Sequence, residues 1–454
     1  MQPRPTSVTP ARVAVIGAGP AGLAAAARLA EAGISVDLFE ASAAVGGLAR
    51  SLSLWDCELE LSAHIFRSTD PFVSRLWHES AGELVEISLR RGIFDGNGVT
   101  HYPITPLRIL RSLGLLVSVQ SAVGLVAGRL TALGKPAPEN AEAWMVRTYG
   151  RQLHERFLCS YAEKLWGVPC HQIDARFPQF LFQSAGSSQE GRQSFFYPRA
   201  GNSAVWNNLS DRLTAQGVRI HRETRVNRFI TDNNRVTGLV ANDTQFDVDH
   251  VISTMPLGLL ARLALPNEPA VAAAASTLKS RSTLLVYLMA PAGKHSDFNW
   301  LSVYPDTYRV GRITDFGRWL NRDDGNTVYC LEYWCDAGDE LWQTDDRALA
   351  ELACNELNRT QLVGQVTALK SHVERVPGSH PVFSLGFQSS IDCIQQHLAT
   401  LSGISSVGRS GAHGVLGMGE SMESARDAAD QVIGRIGQLG ANRATGLTNR
   451  VSAD

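Results

Sequence analysis

Hydrophobic residues follow two periods along this chain. Val13-Ala14-Val15-Ile16 is a short apolar run that reads as a buried strand, and the glycine run Gly17-x-Gly19-x-x-Gly22 follows it directly. Pro20 to Ala32 is rich in alanine and reads as a helix, which Gly33 stops. Ser35-Val36-Asp37-Leu38-Phe39-Glu40 predicts a second, parallel strand that ends in a carboxylate. Leu52 to Leu61 alternates apolar with polar residues and predicts one or two strands, and Pro71 opens a helix containing Leu76 and Trp77. Further helices are expected over 141–150, 160–169 and 203–216, with strands near 218–221, 236–241 and 248–253. Residues 281–335 alternate in β fashion around 284–287, 308–313 and 327–332, and look like a separate sheet. Asp345 to Asn358 has amphipathic helical spacing. Ser406-Val407-Gly408-Arg409 predicts a strand ending in glycine, followed by a glycine-rich loop from Gly411 to Gly419 and a helix from about Glu420 to Leu439.

Composition narrows the class. With 454 residues, 44% hydrophobic and 19% charged, the chain is expected to form two or three ordinary globular domains. A formal charge of −2 supplies no basic excess for nucleic acid. Seven cysteines form no CxxC pair, which argues against a disulfide framework or a zinc site and favours a reducing, cytoplasmic setting. The polar, proline-rich first ten residues read as a tail without a secretory hydrophobic region. Residues 104–130 are strongly apolar but interrupted by Arg111, Gln120 and three glycines. That falls short of the roughly 18 to 20 uninterrupted residues of a spanning helix, so buried or domain-interface helices are the leading reading, with monotopic membrane contact and a true span as the alternatives. The polar, Ser/Gly/Gln-rich stretch 184–193 reads as a loop.

The opening turn carries the first chemistry. Gly17 permits a tight turn, Gly19 lets backbone approach a pyrophosphate, and Gly22 permits close helix–strand packing. The helix start at Pro20 and Ala21 offers unpaired amides to phosphate. Glu40, 18 residues beyond Gly22, is placed to bind ribose hydroxyls. Gly46-Gly47-Leu48-Ala49-Arg50 then resembles the second glycine pair of FAD-binding flavoproteins, so FAD is the expected cofactor. The strand–glycine–loop–helix order after Ser406 would aim a second helix N-terminus at the same cofactor.

Taken together, these residues resemble the UDP-galactopyranose mutase branch of the flavin amine oxidase and protoporphyrinogen oxidase superfamily. The matching pieces are the two glycine motifs, Ala63-His64-Ile65-Phe66, His101-Tyr102-Pro103, Lys164-Leu165-Trp166-Gly167-Val168-Pro169, Tyr197-Pro198-Arg199, Ser253-Thr254-Met255-Pro256, Gly311-Arg312-Ile313, Gly408-Arg409 and Met418. The resemblance implies an α/β fold: a Rossmann-type FAD-binding domain with an interleaved substrate domain of helices plus antiparallel sheet. The expected FAD-binding parts are 1–90, 194–262 and 386–440, the substrate parts are a helical insert over 91–193 and a sheet over 263–385, and 441–454 is a tail. It also implies that Val226 and Met255 lie near the adenosine and pyrophosphate, and Arg409 and Met418 near the flavin. His64 would lie close to the flavin, Arg312 would face a substrate diphosphate, and Trp166, Tyr287 and Arg375 would line the substrate pocket.

One departure bears on the substrate. Where mutases carry an Arg-Tyr pair after Gly-Arg, this chain reads Ala412-His413-Gly414-Val415-Leu416-Gly417-Met418. Gly414 and Val415 stand where a second diphosphate-binding arginine and its tyrosine would be, and His413 compensates only in part. Charged hydrogen bonds of that kind are worth about 1.5–3 kcal/mol each. The reading is therefore a two-electron FAD oxidoreductase acting on a small, less anionic biosynthetic intermediate. Its alternatives are a redox-neutral mutase that uses reduced FAD as nucleophile on a nucleotide sugar, and a catalytically silent flavin-fold scaffold.

Overall fold

The computed structural model describes residues 11–101, 134, 136–151, 154–155, 159–177, 193–293, 297–320 and 325–451. The first ten residues, Tyr102-Pro103, the apolar stretch 104–130 and most of the polar stretch 184–193 lie outside the described residues. The chain divides into two units, one of Met1–Leu84, Pro198–Thr277 and Ser390–Asp454, the other of Val85–Tyr197 and Leu278–Ser389.

The first unit is built on a five-stranded parallel sheet in the order Ile404–Ser406, His250–Ser253, Arg12–Ile16, Ser35–Phe39, Arg219–His221. Alanine makes one face of it. The helix Pro20–Glu31 buries Ala24, Ala25 and Ala26 fully, and the final helix Met418–Val451 packs on it through Met422, Ala425 and Ala429. Small side chains allow that close approach, and Arg28 fixes the pair with a 2.6 Å bond to Asp430. That last helix is longer than the sequence suggests, running through the expected tail. A three-stranded antiparallel sheet, Val226–Asp232, Arg235–Ala241 and Thr244–Asp247, closes the other side. The unit continues to Thr277, past the boundary expected at 262, and takes in the helices Leu257–Ala264 and Pro269–Thr277, which approach closely at Gly258, where a Cβ would lie 3.2 Å from the Ala275 carbonyl.

His250 sits inside this sheet, with its Nε2 2.9 Å from Ser405 Oγ. Burial, with Arg435 and Arg235 nearby, lowers its pKa to about 4. A base depressed in the folded state gives stability that is complete above the unfolded value, about 6.5, and is lost as pH falls toward 4. The loss is on the order of 3 kcal/mol. Melting temperatures of the wild type and His250→Asn, compared between pH 7 and pH 4.5, are expected to converge at the acid end.

The second unit holds a seven-stranded sheet in the order Lys370–Pro381, Ser280–Pro291, Asn326–Cys335, Arg312–Asp315, Trp300–Val303, Arg91–Phe94, Val99–His101. Leu284, Val286, Leu288, Leu331 and Tyr333 fill one face, under the helix Asp346–Arg359 with its Leu349, Ala353 and Leu357. The strand expected over 308–313 starts only at Arg312. Before it, Lys164 Nζ donates to the carbonyls of Val303, Pro305 and Val310 at 3.0, 2.7 and 3.3 Å. Glu356 takes the amides of Arg309 and Val310 at 2.6 and 2.9 Å. Side chains thus claim the backbone groups a ladder would have used.

Candidate cofactor and substrate sites

In the first unit the two glycine motifs fold onto one another. Gly17 is held at φ +95° with its amide on the Phe39 carbonyl, 2.7 Å away, and a side chain there would collide with Thr254 Oγ1. The Gly46 amide donates to the Ala18 carbonyl at 2.8 Å. A Cβ at Gly47 would lie 3.2 Å from the Gly19 Cα, so the two backbones meet with no side chain between them. Leu48 and Ala49 make a short 3₁₀ turn with Gly47, and Arg50 Nη1 returns to the Gly47 carbonyl at 3.0 Å. The indole of Trp206, fully buried, donates to Ala49 and occupies the space a side chain on Gly46 would need. Glu40 accepts from the Ala18 amide on one oxygen and from the Ser42 amide and hydroxyl on the other, all within 2.8 Å. Its carbonyl takes the Thr224 amide, which brings the loop before Val226 beside it. The Val226 side chain is core, with Ile16 and Phe39, so any contact with a ligand would come from its backbone.

The late glycine loop joins the same edge. Gly408, at φ +74°, leaves only 3.0 Å between its missing Cβ and Ala21, and its amide donates to Ser424 Oγ. The strand ends at Ser406, two residues earlier than expected, and Gly408–Gly411 with Arg409 is a single helical turn. Thr254 bonds back to the Ile16 carbonyl through amide and hydroxyl, and Met255 follows it at the end of its strand. His413 is buried at φ +46°. Met418 starts the final helix, and Gly419 there fits directly against the Arg67 carbonyl. The segment carrying His64 is therefore packed on the start of that helix.

His64 is oriented by a group that sequence reading overlooks. Its Nδ1 lies 2.8 Å from the Ser62 carbonyl and 3.3 Å from Oε2 of the fully buried Glu60, which also accepts the His64 amide at 2.7 Å. Both Nδ1 neighbours are acceptors, so the proton resides on Nδ1 and the lone pair on Nε2. The signal was a carboxylate between two buried leucines, Leu59 and Leu61.

In the second unit the face opposite the leucine core carries the chemistry. Strand register puts Arg312 beside Glu332, Thr314 beside Cys330, and Tyr287 beside Cys330 and His372. Arg312 Nη2 is 2.8 Å from Glu332 Oε2, and Glu332 is fully buried. The guanidinium also lies over the rings of Trp300 and Trp334, 4.9 and 5.6 Å from their centroids. Gly311 is required there, because the Trp334 ring fills the place of its side chain. Arg312 Nε, Glu332 Oε1, Thr314 Oγ1 and Trp334 Nε1 are buried without a hydrogen-bond partner among the described residues. Native interiors seldom leave such groups unsatisfied, and four on one face mark a place where a ligand or water completes them. Burial raises the Tyr287 phenol and the Cys330 thiol well above their usual ranges, so both stay protonated.

One expected pocket residue falls on the other face, and another is buried in packing. Arg375 pairs with Leu284, three positions from the Tyr287–His372 pair, and so projects to the opposite face. There it holds Asp346 at 2.6 Å and the carbonyls of Thr344 and Trp342. Trp166 is 2% exposed and packs edge-on against Phe177, 3.9 Å between centroids.

A parallel sheet with two helix N-termini at the carboxyl ends of its strands, and glycine backbones laid face to face, defines a dinucleotide-binding flavoprotein. The flavin-containing amine oxidoreductase family model matches residues 20–433, and the chain belongs to that family. Its cofactor is FAD. No curated protein sequence matches. Among solved structures, reduced UDP-galactopyranose mutase is similar with a TM-score of 0.80 at 20% identity, over 94% of both chains. A protein from Exiguobacterium sp. 255-15 described as a protoporphyrinogen oxidase gives 0.75 at 19%, over 94% of this chain and 99% of that one. Cyclohexylamine oxidase from Brevibacterium oxydans IH-35A gives 0.69 at 15%, over 94% and 100%. At these identities the likeness is one of fold. No helix among the described residues is long and apolar enough to cross a membrane.

Proposed function

We propose that this chain is a cytoplasmic FAD-dependent oxidoreductase that takes two electrons from a small, uncharged or zwitterionic biosynthetic intermediate. The first unit holds the cofactor and the second selects the substrate. Bound FAD supplies the two-electron acceptor. The residues fit it: Gly19 and Gly47 present backbone without side chains, Glu40 Oε2 takes one amide and keeps a lone pair for a ribose hydroxyl, and the Pro20 and Met418 helix starts suit phosphate and flavin. His64 accepts a proton at Nε2, with Glu60 as its positioning residue.

The observation that carries the substrate reading is the Arg312–Glu332 pair. A departing diphosphate needs cations where its charge develops. Here the guanidinium is already neutralised at 2.8 Å, and Gly414 stands at the position of the second family arginine. What remains is a donor and an acceptor side by side between tryptophans. That arrangement suits a ligand bearing both an acceptor and a donor, held against aromatic walls. The test is anaerobic. Bleaching of the oxidised, yellow protein by a candidate amine, alcohol or saturated substrate supports oxidation. Turnover of a nucleotide sugar only after prior flavin reduction would replace this reading with the mutase one.

A further inference from the structure

The hairpin between Cys159 and Cys170 gathers soft ligands. Cys159 opens the helix Cys159–Trp166, and Glu163 follows one turn later on the same face. The chain reverses at Gly167, which has φ +66°, and Pro169 leads into the turn Cys170–Gln172. The two sulfurs and a Glu163 oxygen end within 4.8 Å of one another. Cys159 Sγ is 3.3 Å from Glu163 Oε1, and the Cys170 amide donates to that same oxygen at 3.1 Å. A second observation comes from His154. It is only 3% exposed, and its Nδ1 has no hydrogen-bond partner among the described residues.

We propose that Cys159, Glu163 and Cys170 bind one zinc ion, and that the buried His154, which lies outside their 4.8 Å cluster, turns in on binding as the fourth ligand. The donor set decides the metal. Two sulfurs, a nitrogen and one carboxylate suit zinc and are poor ligands for calcium or magnesium, which require oxygen cages. Bond lengths near 2.3 Å to sulfur and 2.1 Å to oxygen, at tetrahedral angles, put sulfurs about 3.8 Å apart and sulfur from oxygen about 3.6 Å. Cys159 Sγ and Glu163 Oε1, 3.3 Å apart, are within about 0.3 Å of that arrangement, and no pair of the three donors is more than 4.8 Å apart. Binding would release a proton from each thiol to solvent and form two zinc–thiolate bonds, with no change of oxidation state. The pattern, Cys-x3-Glu-x6-Cys, contains no CxxC, which is why the spacing of cysteines alone argues against it.

Its role is structural. The hairpin carries Lys164, whose ammonium holds the Val303, Pro305 and Val310 carbonyls, and Gly167 lies directly against the Arg281 guanidinium. A metal joining both ends of the hairpin fixes that clamp. The experiment uses the full-length flavoprotein, incubated with zinc sulfate, desalted and assayed for metal by mass spectrometry. The wild type is expected to retain about one zinc per chain, and Cys159→Ser and Cys170→Ser to retain at least roughly tenfold less. Equal zinc in the wild type and the doubly substituted protein overturns the proposal. Should the serine variants fail to fold, alkylation of the wild type decides it: zinc must slow modification of Cys159, mapped by peptide, and a chelator must restore it. Unchanged alkylation, or a Cys159–Cys170 disulfide in the protein as purified, also overturns it.

Discussion

Gly22→Val is expected to emerge colourless. A Cβ at this position would lie 1.8 Å from the Gly17 carbonyl oxygen and 3.4 Å from Val15, so the helix Pro20–Glu31 must move away from its strand. The Gly17 turn cannot absorb the shift, because its amide is bound to Phe39 and Thr254 fills the space behind it. The displaced helix takes with it the amides proposed to face the pyrophosphate, and the contact between Gly19 and Gly47. Overpacking of this kind costs about 1–3 kcal/mol of stability. A similar loss of binding energy corresponds to about a hundredfold weaker FAD affinity. Gly33→Ala is the control. Gly33 has φ +74° but open space around its missing Cβ, so alanine there costs about 1–2 kcal/mol of backbone strain and leaves the flavin in place. The ratio of flavin to protein absorbance, with a titration of added FAD, separates the two variants. A Gly22→Val protein that stays yellow at wild-type affinity would refute the cradle.

The cradle was legible because its causes are local. Short strands, glycine spacing and a terminal carboxylate within one stretch of chain determine each other, and Gly46-Gly47 needed only to return to Ala18. The substrate face was harder to read because its causes are distant. Arg312 and Tyr287 were identifiable singly, but the strands that carry them lie apart in sequence, and nothing in Gly311-Arg312-Ile313 announces Glu332. The signal for Glu332 was there: one carboxylate inside Cys330-Leu331-Glu332-Tyr333-Trp334-Cys335, a run otherwise without charge and wholly buried. A charge in such a strand needs a partner, and the register supplies it. Arg375 lies on the other face by parity, since a strand sends side chains to alternate faces and the unbroken register pairs it with Leu284, three positions from Tyr287. Trp166 packs on Phe177, a contact its own motif does not announce because the two rings lie eleven positions apart.

Glu332→Gln is expected to do two separable things. It removes the charge beside Arg312 and leaves a guanidinium 12% exposed with no countercharge, which costs about 3–5 kcal/mol when one partner of a buried pair is removed. Urea unfolding should show that loss, and the double variant Arg312→Met, Glu332→Gln should recover most of it, because no lone charge remains. The second effect concerns ligands. With Glu332 neutral, Arg312 becomes an available cation, so the variant is expected to bind a nucleoside diphosphate at least tenfold more tightly than the wild type, a difference of about 1.4 kcal/mol. Oxidation of the true substrate should fall at the same time, since the acceptor beside the guanidinium has lost its charge. The direction of the nucleotide effect is what separates the two chemistries. A mutase needs Arg312 free in the wild type, so releasing it would add nothing. If the wild type and Glu332→Gln bind the diphosphate equally well, the ion pair does not screen the site and the redox-neutral reading prevails.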